Sequence, residues 1–278
     1  MNFLIFTDIP VWVRPLVRAL EMRGAEVRVS DCPEAIRPDD TVVNRTSTHV
    51  ARKRPEQAAR MRAALERWEQ ESRPVVNGAH CLELGFSKWA QAELMRQCGV
   101  ATPETRHVKA GVRQLPDQPV LLKPPAGGFG RGIRRLEAGE AMPVELGGDS
   151  TDGWVEQAIL VPADGAVHRV ETLGGKPLYE AVSPITPDCF DYCLAHASPE
   201  VALKLPPDIP VTIAEAVANI MKNARMELGS VEYLLDAEGR PWFIDLNPVS
   251  SLHPEAATLL GRDPIDCIAA YLCKRKNW

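Results

Sequence analysis

The chain lacks the patterns that mark several common protein classes. Its seven cysteines, at positions 32, 81, 98, 189, 193, 267 and 273, form no C-x-x-C pair, and Cys189 and Cys193 have no histidine pair at zinc spacing. An odd count with no framework argues against a disulfide scaffold and points to free thiols in a reducing compartment. No apolar stretch reaches the length of a membrane span. The apolar start Phe3 to Phe6 is too short for a secretion signal and is broken at once by Asp8 and Pro10. A cytoplasmic location without a membrane partner is the expectation. Positive charge is not in excess: 32 Lys and Arg stand against 37 Asp and Glu, a net charge of −5, so a nucleic-acid partner is not expected. The one basic run, Arg52-Lys53-Arg54 with Arg60, Arg62 and Arg67 beyond it, is interleaved with Glu56, Glu66 and Glu69 and reads as a solvated helix face. Internal repeats are absent as well.

What is present is concentrated in two segments. The first, Val120-Leu-Leu-Lys123-Pro-Pro-Ala-Gly127-Gly128-Phe-Gly130-Arg131-Gly132-Ile133, ends an apolar strand on a lysine and follows it with glycines. Gly127, Gly128, Gly130 and Gly132 let backbone amides approach phosphate oxygens closely. Their spacing fits neither G-x-G-x-x-G nor G-x-x-x-x-G-K-[ST], and Ile133-Arg-Arg-Leu136 reads as a second strand where those motifs require a helix. The segment is a hairpin-type turn, either an ordinary one or one that folds over phosphates. The second segment, Phe243-Ile-Asp245-Leu-Asn247-Pro248, sets Asp245 and Asn247 on one face of a strand and Ile244 and Leu246 on the other. Ser230-Val-Glu232-Tyr-Leu-Leu235 and the turn Asp236-Ala-Glu-Gly239-Arg precede it, making a hairpin in which Glu232 joins Asp245 and Asn247. Carboxylate and amide oxygens that leave room for water and phosphate suit Mg²⁺. The plain alternative is a solvated polar hairpin face.

The elements follow from periodicity and caps. Residues 2–7 read as a strand, 11–24 as a helix ending at Gly24, 25–30 as a strand and 41–44 as a short strand leading into Asn44-Arg45. Residues 55–72 form a long helix after Pro55, and 74–77 another strand. This alternation implies a small parallel α/β sheet, which presents ligand contacts at the carboxyl ends of its strands, where Asp8, Asn44 and Arg45 fall. Residues 87–98 are helical, 105–185 mostly short strands, 199–210 a Pro-rich loop, 211–227 a helix, and 263–275 a closing helix opened by Asp263-Pro264. At 278 residues, 45% hydrophobic and 25% charged, the chain suits one to three subdomains with a sizeable core.

Taken in chain order, these segments resemble the ATP-grasp superfamily, and most of all its RimK-like amino-acid ligases. The resemblance is carried by the opening strand–helix–strand from Phe3 to Val27, Asn44-Arg45-Thr-Ser47, Val76-Asn77-Gly78, Ser87-Lys88, Cys98-Gly99 to Thr105, Lys123 with the glycine turn, Val155-Glu156-Gln157-Ala-Ile159, Arg169 and Asp245-Leu-Asn247-Pro. It implies an α/β chain, α+β in its core: an ATP-grasp fold preceded by a small parallel α/β domain, with divisions at 1–86, 87–158 (the lid subdomain) and 159–278 (the metal-bearing subdomain). It implies ATP and Mg²⁺, with Mn²⁺ as an alternative metal. Lys88, Lys123, Gly127, Gly128, Gly130 and Gly132 would meet the phosphates, and Glu156, Gln157 and Ile159 the adenine. Glu232, Asp245 and Asn247 would hold the metal, with Arg169 the catalytic residue facing an acyl phosphate. Asn44, Arg45, Ser250 and Ser251 would lie near the second substrate.

The implied activity joins a small-molecule or peptide carboxylate to an amine through an acyl phosphate. Phosphotransfer to a hydroxyl, or nucleotide binding without ligation, are the alternatives. A homo-oligomer is compatible with each. Around Arg169 the chain departs from the pattern: Val167-His168 precedes it where an acidic residue often stands, Ser183 replaces a later basic residue, and Glu171 and Glu180 are additions. His168 reads as a strand histidine in a polar network. Ser250 and Ser251 read rather as caps of a helix beginning near Pro254 than as ligands. The plain alternatives for Lys88 and Arg45 are an exposed helix-start lysine and an ion pair with Asp39 or Asp40.

Overall fold

The computed structural model describes residues 1–108, 116–127, 130–140, 153–185, 202–250, 252–253 and 255–275. The first body is a parallel sheet. It is built from β1 (Asn2–Phe6), β2 (Glu26–Ser30), β3 (Asp40–Asn44) and β4 (Val75–Val76) in the order β2-β1-β3-β4. Between them run α1 (Pro10–Glu21), the short α2 (Val50–Lys53) and α3 (Pro55–Gln70). The run Phe3-Leu-Ile-Phe6 is continuously apolar because β1 is central and covered on both faces. Phe3 and Ile5 pack with Val13, Leu16 and Leu20 of α1, while Leu4 and Phe6 pack with Met61, Leu65 and Trp68 of α3.

Next come α4 (Ala79–Phe86) and α5 (Lys88–Gln97). They precede a four-stranded antiparallel sheet of β5 (Thr105–His107), β6 (Val120–Lys123), β7 (Arg134–Leu136) and β8 (Val155–Ala158), ordered β5-β8-β6-β7. The third sheet is larger. It contains β9 (Ala166–Leu173), β10 (Lys176–Pro184), β11 (Ala202–Lys204), β12 (Leu228–Leu235) and β13 (Pro241–Asn247), ordered β11-β10-β9-β12-β13, with α6 (Val211–Asn223) inserted before β12. The chain closes with α7 (Ala256–Leu260) and α8 (Pro264–Lys274), the latter capped by Asp263, whose carboxylate accepts from the Ile265 amide at 2.8 Å.

The expected α/β organisation with a mixed core holds. One local expectation does not, and one helix was not foreseen. The stretch 199–210 is not all loop: β11 adds to the edge of β10, and Pro206–Asp208 form a 3₁₀ turn. The described strands of 105–185 are mostly short, as expected, but β9 and β10 run for 8 and 9 residues through the third sheet. Helix α4 had no counterpart in the periodicity, being eight residues long with no side-chain cap. Packing also runs across the divisions 87–158 and 159–278. Leu94 and Met95 of α5 share a core with Val217 and Ile220 of α6 and Val231 and Phe243 of the third sheet, while Ile268, Ala269 and Leu272 of α8 pack on Phe3 and Ile5. The five described cysteines are free thiols; Cys189 and Cys193 lie outside the described residues. Among the described residues no helix is long and apolar enough to cross a membrane.

One buried polar group fastens the first body to the third sheet, and another knits the third sheet itself. Asn77, just after β4, has φ 55°, a left-handed conformation that asparagine tolerates better than most residues. Its carboxamide oxygen accepts from the amides of Glu227 and Leu228 at 2.9 and 3.1 Å. Its Nδ2 donates to the carbonyls of Leu228 and of Pro248, the latter at 3.2 Å. One side chain on the first sheet thus satisfies four backbone groups around the β12–β13 hairpin. On the third sheet, His168 stacks on Tyr233 at 4.6 Å, with its ring nitrogens 3.2 Å from Glu180 and 2.7 Å from Asp164. Glu180 also accepts from the Tyr233 hydroxyl and pairs with Lys204 at 3.2 Å. The polar-network reading of His168 is what the fold realises.

Asn77→Ala is expected to cost on the order of 3 kcal/mol, because it strands buried backbone groups and puts a less tolerant residue at positive φ; Asn77→Gly, which relieves only the second, should cost less. Urea unfolding measures both. Burial lowers the His168 pKa, but Glu180 and Asp164 outweigh it and raise it above the ordinary value. The protonated ring's contribution is therefore full below about pH 6.5 and fades as pH climbs through the higher folded value. The stability lost in His168→Asn should shrink as pH rises above about 6.5; a loss that is flat or grows with pH contradicts this charge assignment.

Candidate active site

The floor of the site is the β12–β13 hairpin. Glu232 sits in register opposite Asp245, and Ser230 opposite Asn247. The register shifts beyond Glu232, so Tyr233 faces Phe243. This bulge breaks the simple alternation expected from sequence. Phe243 and Leu246 share one core, while Ile244 packs with Leu121, Val167 and Leu234 in another. The predicted oxygen cluster still forms. Asn247 Nδ2 donates to Glu232 Oε1 at 3.2 Å, and the Asp245 charge acts on Glu232. Burial, reinforced by Asp245, pushes the Glu232 carboxyl well above the usual range against the pull of Arg169, Lys88 and Lys123.

The two lysines approach this floor from opposite sides. Lys88 opens α5, where Ser87 caps the helix by accepting from the Ala90 amide at 3.1 Å. Its backbone amide donates to Pro125 O at 3.0 Å, which ties α5 to the chain entering the glycine turn. Its ammonium pairs with Asp245 and lies 3.4 Å from Gln91 Oε1, so it is not an exposed helix-start lysine. Gln91 also accepts from the Leu246 amide at 3.3 Å. Sequence reading missed Gln91, although its spacing from Lys88 puts both on one helix face. Lys123 ends β6, 5% exposed, on the same strand face as Leu121, which packs against Leu234 and Ile244. It therefore faces the third sheet, close enough for its charge to act on Glu232.

Arg169 is fully engaged. On β9 it pairs in register with Glu232, and its guanidinium donates to Glu171 through Nε, Glu232 through Nη1 and Ser250 Oγ through Nη2, each at 2.8 Å. Burial opposes its charge, but Glu171 and Glu232 more than offset burial and hold it protonated. Glu171, two residues along the same strand face, is thus the fixed partner of Arg169. Ser250 Oγ in turn donates to Glu171, and its carbonyl accepts from Arg45 Nη2 at 3.1 Å. The expected helix cap is not what Ser250 does: α7 follows Glu255 without a side-chain cap. Ser251 lies outside the described residues.

Arg45 leaves β3 and reaches across to the hairpin's far end. Asp40 pairs with Arg28 and Asp39 accepts from Asn2, so neither is its partner. Burial lowers its pKa to about 10, and its buried Nε has no hydrogen-bond partner among the described residues. Asn44 is placed differently. Its Nδ2 donates to Asn77 O at 2.8 Å and its Oδ1 accepts from the Thr46 amide at 3.1 Å, so its side chain shapes the loop that carries Arg45.

At the other end, β6 and β7 pair antiparallel around the glycine turn, as the hairpin reading requires. Gly130 and Gly132 have φ 64° and 87°, where a side chain would strain the backbone. Gly127 lies at the turn's start, and Gly128 lies outside the described residues. On β8, Glu156 and Gln157 are buried. Gln157 donates to Thr105 Oγ1 at 3.1 Å. Glu156 Oε1 has no partner among the described residues, and burial raises its pKa. Ile159 packs with Leu121, Val167, Leu234 and Ile244, at the seam between the second and third sheets. Among the described residues no group of three or more His, Cys, Asp or Glu side chains forms a metal site. The predicted trio offers two carboxylates and an amide, a hard-oxygen set that fits Mg²⁺ with water and phosphate completing the shell.

Comparison with known proteins places the fold. A D-alanine–D-alanine ligase of Bordetella petrii is 27% identical over 216 residues, covering 66% of this chain and 62% of that protein. The chain thus spans less than two thirds of that relative's length. The solved D-alanine–D-alanine ligase from Bacillus anthracis superposes with a TM-score of 0.69 at 14% identity, covering 98% of this chain and 96% of that one. A RimK domain ATP-grasp protein from Sphaerobacter thermophilus gives 0.64 at 18% identity, covering 98% and 99%. The chain has the ATP-grasp fold. No family model matches it.

In this chain of ATP-grasp fold the buried Arg169 cluster is first of all a stability element. Arg169→Ala leaves Glu171 and Glu232 buried without their guanidinium and is expected to cost about 3–5 kcal/mol. Adding Glu171→Ala to that variant should recover part of the loss. Denaturant unfolding of the two variants checks the pair, and equal losses count against it.

Proposed function

We propose that this chain is an ATP-dependent carboxylate–amine ligase, RimK-like in type, that makes an amide through an acyl phosphate. The observation that carries this reading is the meeting of Arg45 and Arg169 at Ser250, beside the Glu232–Asp245 floor that Lys88 and Lys123 face. One sheet supplies Arg45 and the other Arg169, so a substrate between them touches both bodies. The D-alanine–D-alanine ligases among its relatives and the RimK domain neighbour support the same class of reaction.

The roles follow from the geometry. The nucleotide base lies along β8, where the orphaned Glu156 Oε1 is an acceptor suited to an exocyclic amine. Lys88, Lys123 and the backbone of the glycine turn hold the phosphates. Glu232, Asp245 and Asn247 would hold Mg²⁺, or Mn²⁺ in its place, which supplies neutralisation of phosphate charge when bound. With Asp245 committed to the metal, the Lys88 ammonium that now pairs with it would be available to phosphate. Arg169, held by Glu171 and Ser250, presents a fixed positive charge where the carboxylate oxygen attacks the γ-phosphorus and ADP leaves, and where the amine, giving up a proton, later forms the C–N bond as phosphate leaves. Arg45, with an unused Nε, recognises the substrate carboxylate.

Asp245→Asn and Asn247→Ala are each expected to lower Mg²⁺-dependent turnover by at least about a hundredfold while the thermal melt stays cooperative. Phosphate release is the readout, scanned over paired panels of carboxylates and amines. Release that needs both partners supports the ligase. ADP formation with a phosphorylated alcohol as the product, or no phosphate release with any pair, sinks it.

A further inference from the structure

Beside the Glu232–Asp245 floor, two hydrogen-bond donors share two oxygens. The Leu246 amide donates to Asp245 Oδ1 at 2.9 Å and to Gln91 Oε1 at 3.3 Å. The Lys88 ammonium donates to the same Asp245 oxygen and lies 3.4 Å from the same Gln91 oxygen. The two acceptors are held differently. The Asp245 side chain is 23% exposed and has the cleft in front of it. Gln91 is 2% exposed on α5, and its Nε2 donates to the Leu84 carbonyl of α4 at 2.8 Å. A carboxamide anchored through its nitrogen presents its oxygen in one direction, and that oxygen has two lone pairs, enough for both donors. Ser87 and the Pro125 carbonyl fix where the Lys88 backbone lies. Gln91 and Asp245 together fix where its ammonium points.

We infer that Gln91 is a positioning residue, which keeps the Lys88 ammonium and the Leu246 amide bonded when Asp245 is committed to a divalent cation. The inference rests on the reading that Asp245 meets the metal and Lys88 the phosphates. In the unliganded chain Asp245 Oδ1 serves both donors. A cation at that carboxylate competes with both for its oxygen. Lys88 can then turn to phosphate, but the buried Leu246 amide cannot move away from β13. Of its two side-chain acceptors, Gln91 is the one left. A buried donor without an acceptor is costly, so a second, stationary acceptor lets Asp245 change partners without that penalty. An amide suits this task where a carboxylate does not. A glutamate at this position would pair with Lys88 and hold it back from phosphate, and its second oxygen would meet the Leu84 carbonyl with no hydrogen to donate. The neutral amide orients the ammonium without capturing it. If Gln91 only tied α4 to β13, its contribution would be the same with and without a cation. The positioning role makes it larger when Asp245 is drawn away.

The test is isothermal titration calorimetry of the full chain with the β,γ-imido analogue of ATP, once in EDTA and once in Mg²⁺. Gln91→Met keeps the side-chain length and removes both polar groups. It is expected to change affinity less than about twofold in EDTA and to weaken it at least about fivefold in Mg²⁺, the size of one stranded buried donor. In an Asp245→Asn background, where no carboxylate is drawn to the cation, adding Gln91→Met should change affinity in Mg²⁺ less than about twofold. Gln91→Glu is the second variant should the methionine chain fail to fold; by pairing with Lys88 it is expected to weaken the analogue at least about fivefold in EDTA as well. Equal weakening by Gln91→Met in EDTA and Mg²⁺, equal weakening in the two backgrounds, or unchanged binding in Gln91→Glu each overturn the inference. The reading beneath it fails in a different way. Mg²⁺-dependent affinity that survives Asp245→Asn removes Asp245 from the metal and the inference with it. Mg²⁺-dependent affinity that is lost in Asp245→Asn but intact in Gln91→Met overturns the inference alone.

Discussion

The position of the first sheet against the β12–β13 hairpin is the constraint on which the site depends, and Asn77 sets it. Four backbone bonds from one buried carboxamide are directional, which apolar packing is not. They hold the strand ends of the first sheet against Leu228 and Pro248, one at the start of β12 and the other just past β13. Asn44 is bound to the Asn77 carbonyl, so the loop that starts Arg45 toward Ser250 is referenced to the same point. Helix α8 completes the fastening by packing its apolar face on β1 after leaving the third sheet's side of the chain.

Charge balance shapes the rest. Four cations, Lys88, Lys123, Arg45 and Arg169, face three carboxylates, Glu171, Glu232 and Asp245, in a setting where burial penalises the charges of Glu232, Arg169 and Arg45. Without ligand, Lys88 and Arg169 occupy the carboxylates. A metal and a triphosphate would trade these internal pairs for external ones. Glu171 is the addition that makes Arg169 rigid. The departures from the family pattern around Arg169 thus form two separate polar systems on opposite faces of β9, one serving the site and the other, around His168, binding β9, β10 and β12 together.

Several parts of this were legible in the chain order of residues. The alternation of strand and helix announced the parallel sheet, the second strand after the glycine turn announced a hairpin, and Glu232, Asp245 and Asn247 were placed together by pairing alone. Other parts were not. The bulge beyond Glu232 sends Ile244 and Leu246 to different cores, because two-residue alternation fails wherever one strand carries an extra residue. The strand β11 was hidden because three residues form a strand only when an edge is there to receive them. Ser250 looked like a cap because local hydrogen bonding is the common use of a serine before a helix; its actual partners are Glu171, Arg169 and, through its carbonyl, Arg45.

The sequence by itself determined the kinds of element, the fold class and the residue types that gather at the floor, since these follow from periodicity, turn chemistry and pairing within one hairpin. Tertiary structure alone decided which cations reach which carboxylates. Arg45 and Arg169 meet only because two sheets dock through Asn77, and Gln91 reaches the Leu246 amide only because α5 packs against β13. Such encounters join segments separated by most of the chain, and nothing in local periodicity encodes the angle at which two separately built layers settle.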